Sequence, residues 1–109
     1  MSGENLGFKV LSGYVTGNLG TAVAVIAAQT GKVLSLKRLV ISASAQANFE
    51  VENSTTATQI LGLLYFAADG GCALDFAPGA LVTESGRGFN IDSSTTDVAT
   101  CYMEAYVLN

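Results

Sequence analysis

The sequence predicts an all-β protein, a single-domain antiparallel jelly-roll sandwich of about eight strands. Apolar and polar residues alternate with a period of two through most of the chain, as in strands with one buried face. Turn-forming residues separate these stretches at intervals of about 10 to 12 residues, the spacing of sandwich proteins. No helical pattern is long enough to connect parallel strands. The 109 residues suffice for one hydrophobic core.

The first three strands are predicted from apolar runs that lie between turn formers. They cover Gly7 to Val15, Thr21 to Ala28 and Lys32 to Ala43, separated by Thr-Gly-Asn-Leu-Gly and Gln-Thr-Gly. The second run is rich in alanine and could form a helical turn by spacing alone, but its β-branched residues favour a strand. The third run has apolar residues on both faces. We therefore expect one of its faces to contact a second sheet or another subunit.

Four further strands follow in the middle of the chain. Asn48 to Glu52 alternates most clearly, and Cys72 to Phe76 and Phe89 to Asp92 show the same pattern. The apolar run Ile60 to Phe66 could also be a buried helical turn, but Gly62 in its middle favours a strand. Each of these segments is short, which is typical of a sandwich.

Two glycine-containing turns are predicted between these strands. Asp69-Gly70-Gly71 predicts a hairpin, because glycine adopts positive φ without steric cost. Ala77-Pro78-Gly79 predicts a second tight turn.

The last strand, Val98 to Leu108, divides into two distinct faces. Cys101, Met103, Ala105 and Val107 alternate with Tyr102, Glu104 and Tyr106. If the first set faces inward, both Cys101 and Cys72 point to the core. We therefore predict two buried free thiols rather than a disulfide.

The composition excludes several classes of function. Only 13 % of the residues are charged, against about 25 % in an average soluble protein, so we expect part of the surface to be covered by a neighbour. The net charge of −4 argues against nucleic acid as a partner. Polar residues and glycines interrupt the uncharged run Val10 to Gly31, so we expect no membrane span. The start Met-Ser-Gly-Glu-Asn lacks the regions of a signal peptide.

The residues also argue against catalysis and bound cofactors. The chain has no histidine, the usual general base, so we expect no enzyme. The pairs Asp69 with Asp75 and Asp92 with Asp97 flank loops and are interpreted as solvated carboxylates. No calcium-loop series of the form Asp-x-Asp-x-Asp-Gly occurs. We predict no catalytic residue, no cofactor and no metal site.

Several segments together resemble a family of viral structural proteins. They are Gly31 to Leu36, Leu39 to Ala43, the strand through Phe49 and Val51, Leu63 to Gly71, Phe76 to Pro78, and Leu81 to Ile91. In order and pattern they resemble the small jelly-roll capsid decoration (cement) proteins of tailed bacteriophages. The resemblance spans about Gly31 to Leu108. It implies a homotrimer that binds the major capsid protein on the outside of the phage head and stabilises it. It also implies synthesis in the host cytoplasm and a final location in the virion.

On this interpretation residues 1–7 are an N-terminal arm and residues 8–109 the jelly-roll domain. The candidate residues for subunit or capsid contacts come from the segment Ser2 to Phe8 and from one face of either of two strands: Ser2, Asn5, Phe8, Val33, Leu39, Ile41, Tyr102, Glu104 and Tyr106. An alternative is a receptor-binding or glycan-binding head domain of a phage tail fibre. That alternative predicts an exposed aromatic and carboxylate cluster in loops such as Phe66 to Cys72.

Overall fold

The computed structural model describes residues 8–94 and 98–108, which form eight β-strands in two sheets. The strands are β1 (Lys9–Asn18), β2 (Val23–Ile26), β3 (Leu34–Ala43), β4 (Ala47–Asn53), β5 (Gln59–Phe66), β6 (Gly71–Asp75), β7 (Phe89–Ser93) and β8 (Val98–Val107). All eight predicted strands are present, including the two that spacing alone left open. The described residues contain no helix able to cross a membrane.

The strand order is that of a jelly roll. Sheet 1 has the order β1-β8-β3-β6 and sheet 2 the order β2-β7-β4-β5, with every pairing antiparallel. The two sheets together form one long antiparallel ribbon that is folded on itself. Its successive strand pairs are β1 with β8, β2 with β7, β3 with β6, and β4 with β5. Successive strand pairs alternate between the two sheets, so the ribbon wraps around the core. The predicted all-β sandwich is confirmed.

The core lies between the two sheets and is filled by alternate residues of each strand. Its large members include Phe49 and Phe89 of sheet 2 and Leu36, Leu39 and Met103 of sheet 1, each at most 1 % exposed. Strand β8 buries every second residue from Ala99 to Ala105, which confirms the predicted inward face.

A bulge in β3 corrects the predicted division of its apolar residues between the two faces, because within the strand only Val40 lies on the outward side. The register with β8 shifts between Leu36 and Arg38, so the alternation changes phase there. Leu36 before the bulge and Leu39 and Ile41 after it therefore all face the core, with Leu39 0 % and Ile41 2 % exposed. Leu39 and Ile41 are packing residues and are not available to a partner.

The two predicted turns form, but one of them has a different role. Ala80 N donates to Ala77 O over 3.1 Å, and Gly79 has the positive φ of 87° that this turn needs. Asp69 lies in the turn that follows β5. That turn is not a hairpin, because β5 pairs with β4 in sheet 2 while β6 pairs with β3 in sheet 1. It is a crossover between the sheets.

The two cysteines are free thiols, as predicted, but only Cys101 is buried, whereas Cys72 is half-buried. Cys101 of β8 and Cys72 of β6 both pair with Ile41, which lies between them on β3. Two strand spacings separate their Cα atoms, roughly 9.6 Å, whereas a disulfide requires less than about 7 Å. Burial raises the pKa of Cys101 to about 12, so the thiol is unreactive near neutral pH.

Candidate functional site

The outward side of sheet 1 carries a row of aromatic and aliphatic side chains. Tyr14 of β1 pairs with Tyr102 of β8, and Tyr102 pairs with Val40 of β3, so these three lie side by side across the sheet. Val10 pairs with Tyr106 further along the same strands. We call these five residues the tyrosine face. Tyr14 is 62 % and Val10 45 % exposed, a large apolar area for side chains held on rigid strands.

A hydrogen-bonded network neutralises the charges beside this face. The Tyr102 hydroxyl donates to Glu104 Oε2 over 2.6 Å, and Lys37 Nζ donates to Glu104 Oε1 over 3.1 Å. These bonds, first from Tyr102 and then from Lys37, lower the pKa of Glu104. Lys37 also lies 5.9 Å from the centre of the Tyr106 ring, within cation–π range. The network orients both tyrosine rings and leaves little net charge on the surface.

The structure brings together only part of the predicted interface set. Tyr102, Glu104 and Tyr106 share the outward side of β8, and the Phe8 ring lies 5.8 Å from the Tyr106 ring. Val33 is half-buried next to β3. The other members do not join this surface: Leu39 and Ile41 lie in the core, and Ser2 and Asn5 are outside the described residues.

Sequence reasoning missed the contribution of β1 to this surface. Val10 and Tyr14 are both exposed and alternate with the inward residues Leu11 and Val15. The same period-two pattern that identified the faces of β8 was therefore present in β1. The pairing of Tyr14 with Tyr102, by contrast, depends on strand register.

The outward side of sheet 2 carries a cluster of three carboxylates. Glu50 and Glu52 alternate on β4, and Asp92 of β7 pairs directly with Glu50. Carboxylate oxygens of the three residues lie within 4.8 Å of one another. Glu52 is only 3 % exposed, and its pKa is raised to about 7. Burial is the main cause, followed by a hydrogen bond with Glu50 and the negative charges of Asp92 and Glu50.

This cluster differs from the carboxylate pairs considered in the sequence. Asp75 forms an ion pair with Arg38 over 2.8 Å on sheet 1, and Asp69 lies in the crossover turn. Asp97 is outside the described residues. Of the three aspartates that the structure describes, Asp92 alone belongs to the cluster. The Glu50-x-Glu52 alternation indicated one shared face, but only the register of β4 with β7 adds the third carboxylate.

A shallow depression lies at one end of sheet 2, beside this cluster. Its volume is about 620 Å³, and its lining includes Gln46, Asn48, Tyr65 and Ser94. Tyr65 is 72 % exposed, so its ring is available for stacking. A smaller depression of about 130 Å³ adjoins it and is lined in part by Asn48, Glu50 and Asp92.

No protein-family model matches the chain, and no curated protein matches it in sequence. Among solved structures, a chain of the cyanophage Pam1 capsid asymmetric unit is similar, with a TM-score of 0.51 and 15 % identity. That match covers 94 % of this chain and 86 % of that chain. At such low identity the similarity is one of fold.

Two further solved structures are similar at lower TM-scores. One is from a virus-like particle of the extra small virus of the giant freshwater prawn Macrobrachium rosenbergii, with a TM-score of 0.42 and 10 % identity over 93 % of this chain and 79 % of that chain. The other is from the disulfide-linked pili of Bacillus endospore appendages, with a TM-score of 0.48 and 8 % identity over 94 % of this chain and 91 % of that chain.

Proposed function

We propose that this protein is a structural protein of a virion, a capsid decoration protein that binds the outside of the head as a homotrimer and stabilises it. The observation that carries the proposal is the tyrosine face, a rigid aromatic surface whose neighbouring charges are internally paired. The free energy of such a surface is lower when another protein covers it than when it is exposed to water. The major capsid protein and a second copy of this chain are the proposed partners.

Three further observations support a virion role. The fold is similar to that of a chain in the cyanophage Pam1 capsid. The segments that resemble the decoration proteins fall on β3 to β7 and the turns between them. The low content of charged residues, 13 %, is also consistent with a surface that lies against other proteins.

One residue of the tyrosine face indicates how much free energy its burial contributes. Tyr14 exposes 62 % of its surface, which for an aromatic side chain leaves on the order of 120 Å² to be covered. At roughly 25 cal/mol per Å², covering it contributes about 3 kcal/mol per subunit before the costs of association. A trimer that contacts several capsid subunits at once converts such modest contributions into firm retention.

We also propose that the protein is not an enzyme. The chain has no histidine, and the buried carboxyl of Glu52 lies among other carboxylates. Incubation of the purified protein with esterase, glycosidase and peptidase substrates should give no turnover above that of a heat-denatured sample.

Light scattering and head binding test the decoration proposal. The chain of 11.2 kDa should form a trimer of about 34 kDa at micromolar concentration and bind undecorated heads of the virus that carries its gene. Tyr14→Glu places a charge on the tyrosine face and should give a monomer that binds heads poorly. Tyr65→Glu is the matched control, because Tyr65 is similarly exposed but lies on sheet 2. The proposal would be contradicted if the wild-type protein were a monomer, or if its trimer did not bind to heads.

A second candidate function, glycan binding by a tail-fibre head domain, is favoured by one observation. Exposed Tyr65 stands at the shallow depression beside the amides of Gln46 and Asn48, and such amides can hydrogen-bond sugar hydroxyls. On a glycan array Tyr65→Ala would then lose binding, while Tyr14→Ala would keep it. Wild-type protein that retains no glycan excludes this candidate.

A further inference from the structure

We propose that the outer edge of β1 is a self-association site, at which two copies of this chain pair through antiparallel β1 strands. The contact differs from that of the proposed homotrimer, because antiparallel pairing of the same strand relates two copies by a two-fold axis. It therefore joins subunits of different trimers, and it does not depend on binding to heads.

Strand β1 is the longest and most regular of the four edge strands. The edges are β1 and β6 in sheet 1 and β2 and β5 in sheet 2. Strand β2 has four residues and an irregular register, β6 has five residues, and the register of β5 with β4 shifts twice. The ten residues of β1, by contrast, pair with β8 without any shift. Short or bulged edges discourage pairing with another chain, whereas a long and regular edge is a template for it.

The hydrogen bonds of β8 determine which backbone groups of β1 face this edge. Ser44 N donates to Val98 O over 3.1 Å, and Leu108 N donates to Val33 O over 3.0 Å, at the two ends of the β3–β8 ladder. Even-numbered residues of β8 therefore direct their N–H and C=O groups at β3, and odd-numbered residues direct theirs at β1. The odd-numbered residues of β8 pair with the odd-numbered residues of β1.

The even-numbered residues of β1 consequently direct their N–H and C=O groups away from β8, toward the outer edge. We call these residues the edge residues: Val10, Ser12, Tyr14 and Thr16. Among residues 8–94 and 98–108, no strand pairs with them on that side. Their side chains are all exposed on the outward side of sheet 1. A further strand can therefore reach this row of backbone donors and acceptors.

The residue types of β1 also leave this edge open to pairing. Native proteins commonly protect an edge strand with lysine or proline. The charged residue of β1 is Lys9, at its first position, and the single proline of the chain, Pro78, lies elsewhere. The middle of β1 thus has no residue that would hinder a neighbouring strand.

A second copy of β1 fits this edge, because the strand is complementary to itself. Antiparallel pairing centred on Gly13 sets Ser12 of one copy opposite Tyr14 of the other. The same register sets Val10 opposite Thr16, so every edge residue faces another edge residue. Each facing pair exchanges two backbone hydrogen bonds. No other register centred on a residue of β1 pairs all four edge residues with one another.

The charges and the outward faces are compatible with this register. Lys9 lies opposite Gly17, so the charge of one copy meets no like charge on the other. The two-fold axis of an antiparallel strand pair is perpendicular to the sheet, so both tyrosine faces lie on the same side. The two four-stranded sheets become one continuous sheet of eight strands.

Amide hydrogen exchange measured by NMR at two protein concentrations tests the proposal. The amides of Ser12, Tyr14 and Thr16 should exchange about threefold more slowly, or slower still, at about 1 mM than at about 50 µM. The amides of Gly13 and Val15 face β8 and should be protected equally at both concentrations. Rapid exchange of the edge amides at both concentrations overturns the proposal. Edge amides that are protected in an isolated trimer or monomer overturn it as well, because another segment would then cover the edge.

Ser12→Pro provides the sharpest variant. It removes an N–H at the outer edge but no hydrogen bond between β1 and β8, and proline is tolerated at such edge positions. Sedimentation at about 1 mM should show species heavier than the trimer for the wild type, and the Kd of this step should rise about tenfold or more in Ser12→Pro. Ser12→Ala keeps the N–H, so it is the matched control and should associate as the wild type does. Thr16→Pro repeats the test at another edge residue.

Circular dichroism shows whether each variant is folded. A folded Ser12→Pro or Thr16→Pro protein that associates as tightly as the wild type overturns the proposal. Ser12→Pro should still form the trimer, because its tyrosine face is intact. A failure of edge pairing therefore leaves the trimer in place, whereas a failure of the proposed function appears as a wild-type monomer at micromolar concentration.

Discussion

Replacing Glu52 with glutamine should remove most of the pH dependence of the free energy of unfolding between pH 5 and pH 8. Burial, the hydrogen bond with Glu50 and the charge of Asp92 raise the pKa of Glu52 from 4.5 to about 7. The folded state therefore holds a proton that the unfolded state has released. A pKa that is raised in the folded state adds to the free energy of unfolding. This contribution is fully present below pH 4.5 and is lost as the pH rises through about 7.

The magnitude follows from the size of that shift. A difference of about 2.5 pKa units, at roughly 1.4 kcal/mol per unit, gives an upper limit of about 3 kcal/mol lost between pH 5 and pH 8. Glutamine has nearly the same shape as protonated glutamate and does not ionise. It therefore keeps the packing of this side chain, which is 3 % exposed, and removes the cost of charging it.

Urea unfolding at pH 5, 6, 7 and 8 measures the effect. The free energy of unfolding of the wild type should fall by up to about 3 kcal/mol across this range, and that of Glu52→Gln by less than about 1 kcal/mol. Glu84→Gln, at an exposed carboxylate, is the matched control and should follow the wild type. A wild-type stability that is constant or rises with pH would refute the reasoning, as would an equal fall in Glu52→Gln.

Three further predictions concern sheet 1 and the core. Tyr102→Phe removes the main hydrogen bond that lowers the pKa of Glu104, and a carboxyl NMR titration should therefore show a higher pKa for Glu104. An unchanged pKa would mean that Lys37 alone lowers it. Gly13→Ala directs a methyl group at the Val25 carbonyl, so the backbone must move to accommodate it. The free energy of unfolding in urea should therefore fall by about 3 kcal/mol or more. A decrease of less than about 1 kcal/mol would contradict this packing. Cys101 should react with a thiol reagent only after denaturation, and rapid reaction of the folded protein would show that it is accessible.

The local pattern of β8 was enough to predict its structure, whereas that of β3 was not. In β8 the alternation of Cys101, Met103 and Ala105 with polar and aromatic residues persists without interruption, so the inward face can be assigned directly. In β3 the bulge before Arg38 changes the phase, so that apolar residues which a regular strand would place on two faces occupy one. A bulge depends on the partner strand, so the sequence of β3 alone does not indicate it.

The candidate sites divide in the same way. The alternation of Tyr102, Glu104 and Tyr106 is local and was enough to identify one strand of the tyrosine face. The carboxylate cluster was not predicted from the sequence, because Asp92 is about 40 residues from Glu52 and lies beside it only through the register of the two strands. The predicted hairpin at Asp69 failed for a related reason. A turn sequence determines how the chain bends locally, but not which sheet receives the next strand.

The fold class, the positions of the eight strands and most of their buried faces were therefore predictable from the amino-acid sequence. These properties are local, since they follow from the period-two alternation of side chains and from the φ preferences of turn residues. Only the folded structure gives the order of the strands in each sheet, the bulge that buries Leu39, and the pairing of Tyr14 with Tyr102 and of Glu50 with Asp92. Each of these depends on pairing between distant segments, and that pairing is set by packing of the whole core.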